Sequence, residues 1–155
     1  MPERCACHIA QEGNLGQAYN EEAFRYFLAV ERKRSERSGR PFVLLLVNLK
    51  QEPGRTARIE PPVARELFLG LWSSLRETDV IGWYREDHVA GALLVELQDG
   101  IGRDVSSMIV EKVSAGLRER LSTNVALRLQ VRAREERFGR PQSAGARLVQ
   151  GDISC

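Results

Sequence analysis

Asp79-Val80-Ile81-Gly82-Trp83-Tyr84, then Arg85-Glu86-Asp87-His88, then Val89-Ala90-Gly91-Ala92-Leu93-Leu94-Val95-Glu96-Leu97 is the stretch that decides the fold. Two apolar runs rich in strand-forming residues flank four polar ones. That pattern predicts a hairpin with strands over 79–84 and 89–97. Upstream, Val63, Leu67, Leu71 and Leu75 repeat at helical spacing, with Phe68 and Trp72 alongside. Before them lies a loop over 50–62, marked by Pro53-Gly54 and Pro61-Pro62. Phe42-Val43-Leu44-Leu45-Leu46-Val47-Asn48-Leu49 does not alternate, so it reads as a strand buried on both faces. Downstream, Val105, Ile109, Val113 and Leu117 predict a helix over 103–121. Val125, Leu127, Leu129 and Val131 alternate and predict a strand over 124–133 with one wet face.

The order is therefore β-α-β-β-α-β, an α+β arrangement of the ferredoxin-like or palm type. It predicts an antiparallel four-stranded sheet with two helices covering one face. A further helix precedes it. Asn20 can cap that helix, Glu21 and Glu22 suit its positive end, and Ser38-Gly39-Arg40-Pro41 stops it. Residues 1–18 and 134–155 are polar and read as tails around a domain at 19–133.

Composition narrows the function. A chain of 155 residues with 43% hydrophobic and 28% charged residues suits one folded domain. A net charge of +2 does not call for nucleic acid. No apolar run approaches the roughly 18 residues of a membrane span. The first eight residues lack the apolar centre of a leader peptide, so the expected location is the cytoplasm. Cys5, Cys7 and Cys155 lie in the tails and imply no disulfide framework. Cys5-Ala6-Cys7-His8 does not have the spacing of a zinc site.

Several segments resemble, in order, those of the GGDEF domain of diguanylate cyclases, which join two GTP molecules into cyclic di-GMP. Asn20 and Phe24 match its D-x-L-T-G-L-x-N-R-x-x-F opening. Residues 39–50 resemble its first strand, which runs into D-x-D-x-F-K. Arg76-Glu77-Thr78-Asp79-Val80-Ile81-Gly82-Trp83-Tyr84 resembles R-x-x-D-x-x-x-R-Y, and Arg85-Glu86-Asp87-His88-Val89 falls where the family carries G-G-D-E-F.

The resemblance implies two divalent cations between carboxylates on the first strand and in the hairpin. Here the first-strand position is Asn48, an uncharged amide. His88 stands for the signature Glu, and Arg85 and Glu86 stand for its two glycines; Asp87 alone is kept. The Asn and Asp that read guanine in the family have no counterpart in residues 51–62 or the helix that follows. The family's last helix is missing too. The expectation is a degenerate domain with no catalytic residues, no metal and no cofactor.

One motif survives. In many GGDEF domains an R-x-x-D ending six residues before the signature forms an inhibitory product site. Arg76 and Asp79 stand in that register before Arg85. A guanidinium can grip a phosphate or a guanine O6/N7 edge, and a carboxylate can accept guanine N1 and N2 hydrogens. Arg103 is the candidate for a further arginine. The resemblance thus implies a cyclic di-GMP receptor whose output is a change in homodimerisation or in docking to a protein of a bacterial signalling or polysaccharide pathway. Two other readings stay open: a scaffold that binds no nucleotide, and a residual cyclase or GTP-binding domain. Arg76 and Asp79 can also be a plain surface ion pair, and Asp87 a plain turn residue.

Overall fold

The computed structural model describes residues 18–51, 57–95 and 103–136. Its elements are α1 (Glu21–Ser38), β1 (Phe42–Leu49), α2 (Pro61–Ser74), β2 (Val80–Arg85), β3 (Val89–Leu94), α3 (Arg103–Arg120), α4 (Thr123–Arg128) and β4 (Leu129–Glu136). The strands form one antiparallel sheet in the order β2-β3-β1-β4. The expected α+β architecture is the observed one.

Side chains of β1 point alternately to the two faces, and all eight of its residues are buried. Val43, Leu45, Val47 and Leu49 meet Leu67, Phe68 and Leu71 of α2 and Val113 and Leu117 of α3. Phe42, Leu44 and Leu46 meet Phe24 and Leu28 of α1 on the opposite face. A strand between two helical layers has no wet face, which is why its sequence does not alternate.

Asn20 caps α1 by accepting the Ala23 N–H at 2.9 Å, and Gly39 ends it in the left-handed region at φ 77°. Asn20→Ala is expected to lower stability by about 1 kcal/mol in urea unfolding. The segment before the cap adds to the sheet edge. Tyr19 bridges β2 in parallel at Gly82, donating to Ile81 O at 3.0 Å and accepting from Trp83 N at 2.8 Å. Ala18, expected in the tail, is 2% exposed and belongs to the core.

The last strand differs from expectation. Residues 124–128 are helical, and β4 starts at Leu129. Ser122 Oγ accepts the Val125 N–H and starts a short helix. Val125 and Ala126 turn inward, while Leu127 is 79% exposed. The alternation of Val125 and Leu127 with the strand residues is thus coincidental. β4 also runs on through Arg134, Glu135 and Glu136, which were expected in the tail. The expectations for residues 1–17, which include Cys5, Cys7 and His8, and for residues 137–155, which include Cys155, lie outside the described residues. No helix among the described residues is long and apolar enough to cross a membrane.

Candidate functional site

Arg76 and Asp79 occupy the turn between α2 and β2. Helix α2 has ended at Ser74, and β2 begins at Val80. The turn closes on itself. Asp79 Oδ2 accepts the backbone N–H of Arg76 at 2.9 Å, and Asp79 N donates to Arg76 O at 3.0 Å. The Arg76 guanidinium donates to Asp79 Oδ1 at 3.2 Å and to the Val95 carbonyl at 2.7 Å. One arginine therefore ties the start of β2 to the end of β3.

The two side chains differ in access. That of Asp79 is 1% exposed, that of Arg76 51%. Both Asp79 oxygens are engaged inside the turn, so a guanine edge can reach them only by displacing Arg76. The Arg76 fork keeps half of its surface toward solvent, oriented by two acceptors. The expectation that both side chains meet one ligand thus resolves into an exposed donor and a buried support. Arg103 opens α3, and its side chain lies outside the described residues.

The hairpin tip carries Arg85, Glu86, Asp87 and His88. His88 N donates to Arg85 O at 3.0 Å, and Asp87 sits in the left-handed region at φ 64°, which Asp tolerates better than most residues. A register shift between Trp83 and Arg85 sharpens the bend. Val89 is buried against α1, and the His88 ring rests its Nδ1 3.0 Å from Glu86 O.

Two neighbouring segments hold this tip. Glu86 Oε1 accepts the N–H of Glu21 at 3.0 Å, at the first residue of α1. Glu21 Oε1 accepts the N–H of Glu86 at 2.8 Å. A carboxylate at a helix N-terminus satisfies a free donor and complements the dipole. On the other side Ile59 N donates to Asp87 O at 2.7 Å, and Arg58 Nη2 lies 3.5 Å from Asp87 Oδ2. Arg25 reaches Tyr84 O at 3.1 Å and stacks 4.8 Å from the Tyr84 ring. Sequence reading placed Glu21 at the start of the helix but missed its contact with Glu86, and missed Arg25 and Arg58, because each contact joins segments far apart in the chain and leaves no local pattern.

Asn48 is 1% exposed on β1, paired in register with Gln130. Its Nδ2 donates to Gln130 Oε1 at 3.2 Å, and its Oδ1 is buried without a partner among the described residues. No group of three or more His, Cys, Asp and Glu among the described residues could hold a metal ion.

No family model and no curated protein matches the sequence. Solved structures do match the fold. Diguanylate cyclase SiaD from Pseudomonas aeruginosa, in complex with its activator SiaC, has a TM-score of 0.59 at 20% identity, over 84% of this chain and 51% of that one. The chain thus spans about half the length of SiaD. The GGDEF domain of FimX from Pseudomonas aeruginosa has a TM-score of 0.60 at 10% identity, over 86% of this chain and 85% of that one. The GGDEF domain of DgcB from Caulobacter crescentus, in complex with c-di-GMP, has a TM-score of 0.56 at 14% identity, over 84% and 80%. The fold is the GGDEF fold, as the motif order implied.

Proposed function

We propose that this GGDEF-fold domain makes no cyclic di-GMP and binds it instead, with Arg76 as the contacting residue and Asp79 as its support. The observation that carries the reading is the Arg76 fork, half exposed and held by Asp79 and the Val95 carbonyl. Both hydrogens of its Nη2 go to Asp79 and Val95, and those of Nη1 and Nε remain to donate to a phosphate oxygen or to guanine O6 or N7. A GGDEF domain of similar fold, that of DgcB, is known in complex with c-di-GMP, which supports the choice of ligand.

The groups that would hold cyclase cations do not fit that task. Asn48 brings no charge and spends its amide N–H on Gln130. Glu86 is engaged with the N-terminus of α1, and Asp87 faces the Arg58 guanidinium. Hard divalent cations need anionic oxygen donors converging on one point. Incubation with GTP and Mg²⁺ or Mn²⁺ is expected to yield no cyclic di-GMP, and Asn48→Asp is expected not to restore it. Product from that single variant would refute the assignment, because it would make the other departures irrelevant to catalysis.

One observation favours a second reading, a scaffold without a nucleotide. Asp79 is fully engaged inside its own turn, as a purely structural residue would be. Melting with cyclic di-GMP separates the two. The receptor melts at a higher temperature with ligand and the scaffold does not. On the receptor reading the output is a change in homodimerisation or in docking to a protein partner, and on the scaffold reading it is docking alone; SiaD, of similar fold, is known in complex with its activator SiaC. A receptor adds the requirement that the ligand favour one state of its own assembly.

A further inference from the structure

Helix α1 lies on the sheet through Phe24 and Leu28, with Ser35 buried on the same side. Opposite that side runs a row at i, i+4, i+7 and i+11: Glu22, Tyr26, Ala29 and Lys33. This spacing sets side chains in one stripe along a helix. All four are exposed, and Tyr26 keeps 64% of its surface in solvent. The Tyr26 ring is nonetheless held: it sits edge-on to Phe27 at 5.6 Å between centroids, and Phe27 lies 4.8 Å from Tyr19.

The charges of α1 divide by position. Those flanking the row are paired inside the chain: Arg25 with Glu21 at 3.2 Å, Arg34 with Glu31 at 3.4 Å and Arg32 with Glu136 at 3.1 Å. Glu22 and Lys33, at the two ends of the row, have no ion-pair partner among the described residues. They stand roughly 16 Å apart along the helix, so they cannot pair with each other.

A second copy of the row completes both. Two α1 helices run antiparallel about a two-fold axis between positions 27 and 28. Glu22 then faces the partner's Lys33, and Tyr26 faces the partner's Ala29. The symmetry repeats each contact. The result is an ion pair at either end and, between them, two large side chains each set over a small one. A parallel pair would set Glu22 against the partner's Glu22 and Lys33 against the partner's Lys33, and like charges repel. Glu36 and Arg37 fall beyond the start of the partner's α1 and take no part.

We propose that α1 is the surface on which a second copy of this chain docks, antiparallel, through Glu22, Tyr26, Ala29 and Lys33. One helix row buries less than the roughly 1,200 Å² of a standard interface, so the dimer is transient, with a Kd of about 100 μM. The surface needs no nucleotide and does not depend on the cyclic di-GMP reading.

Sedimentation equilibrium of the intact chain without ligand, from about 10 μM to about 1 mM, tests this. The wild type is expected to pass from monomer to dimer over that range. Glu22→Lys and Lys33→Glu each set like charges together at both ends, and each is expected to weaken the dimer about tenfold. The double variant, Glu22→Lys with Lys33→Glu, restores both pairs and is expected to dimerise as the wild type does. Tyr26→Ala is expected to weaken the dimer about fivefold. All three positions are exposed, so circular dichroism is expected to show the wild-type fold in every variant. Arg76→Ala is expected to dimerise as the wild type does, so this result and the nucleotide-binding result stand or fall separately. A wild-type chain still monomeric at about 1 mM overturns the proposal. So does a dimer that keeps its strength in both single charge variants, or a double variant that stays as weak as the single ones.

Discussion

Gly82→Val is expected to destabilise the domain by about 3 kcal/mol, a fall in Tm of about 10 °C. The cause is the approach of the chain just before α1. A Cβ at Gly82 would lie 2.5 Å from Tyr19 O and 2.9 Å from Tyr19 N. Both are backbone atoms and cannot swing aside as a side-chain tip can. The segment must lift, breaking the hydrogen bonds from Tyr19 N to Ile81 O and from Trp83 N to Tyr19 O. Each is worth about 1 kcal/mol, and an orphaned buried donor adds to the loss. Ala18 leaves the core, and Tyr19 loses its contact with Phe27 at 4.8 Å between ring centroids. Thermal melting followed by circular dichroism measures the effect. Hydrogen exchange at the Trp83 amide locates it, since that donor becomes free. A Tm within about 2 °C of wild type, on the scale of about 0.5 kcal/mol, would mean that the segment does not brace the β2 edge.

Asp79→Ala is expected to cost about 2 kcal/mol in urea unfolding and to abolish cyclic di-GMP binding as well. Its carboxylate accepts both the backbone N–H and the guanidinium of Arg76. Removal leaves the α2–β2 turn without its closing bond and the Arg76 fork with one acceptor instead of two. The guanidinium is half exposed, so that ion pair contributes the smaller part and the bond to the buried turn the larger. Asp79→Asn separates the two. An amide oxygen can still close the turn, so stability should recover by about half, while the fork loses its charged support and binding stays weak. Full stability in Asp79→Ala would contradict a bracing role. Wild-type binding in a folded Asp79→Ala would contradict the division into contact and support.

Most of the fold was legible because its signals are local. The unbroken apolar run 42–49 declared a central strand, and the polar break 85–88 between two apolar runs declared the hairpin. Asn20 and Gly39 marked the ends of α1 by their capping chemistry. The failure at 124–128 is instructive. Val125 and Leu127 alternate as a strand should, but a Ser cap decides the backbone there. Arg134 and Glu136 read as tail because charged residues carry no periodic signal; only the ladder to β1 places them.

The candidate site was legible as a pair and not as a geometry. The spacing of Arg76 and Asp79 puts them in one turn. It does not reveal that Val95 supplies the second acceptor or that Asp79 is shielded. The clamp between Glu21 and Glu86 joins positions that no local pattern relates. Long-range contacts of this kind depend on strand order, which a single sequence states only through topology.

The most direct test is calorimetric titration of cyclic di-GMP into the intact chain, beside Arg76→Ala. The expected result is binding at a micromolar or tighter Kd, about 8 kcal/mol or more, that disappears in a variant with a wild-type circular dichroism spectrum. No heat at high ligand, or equal binding in Arg76→Ala, would contradict a receptor built on Arg76.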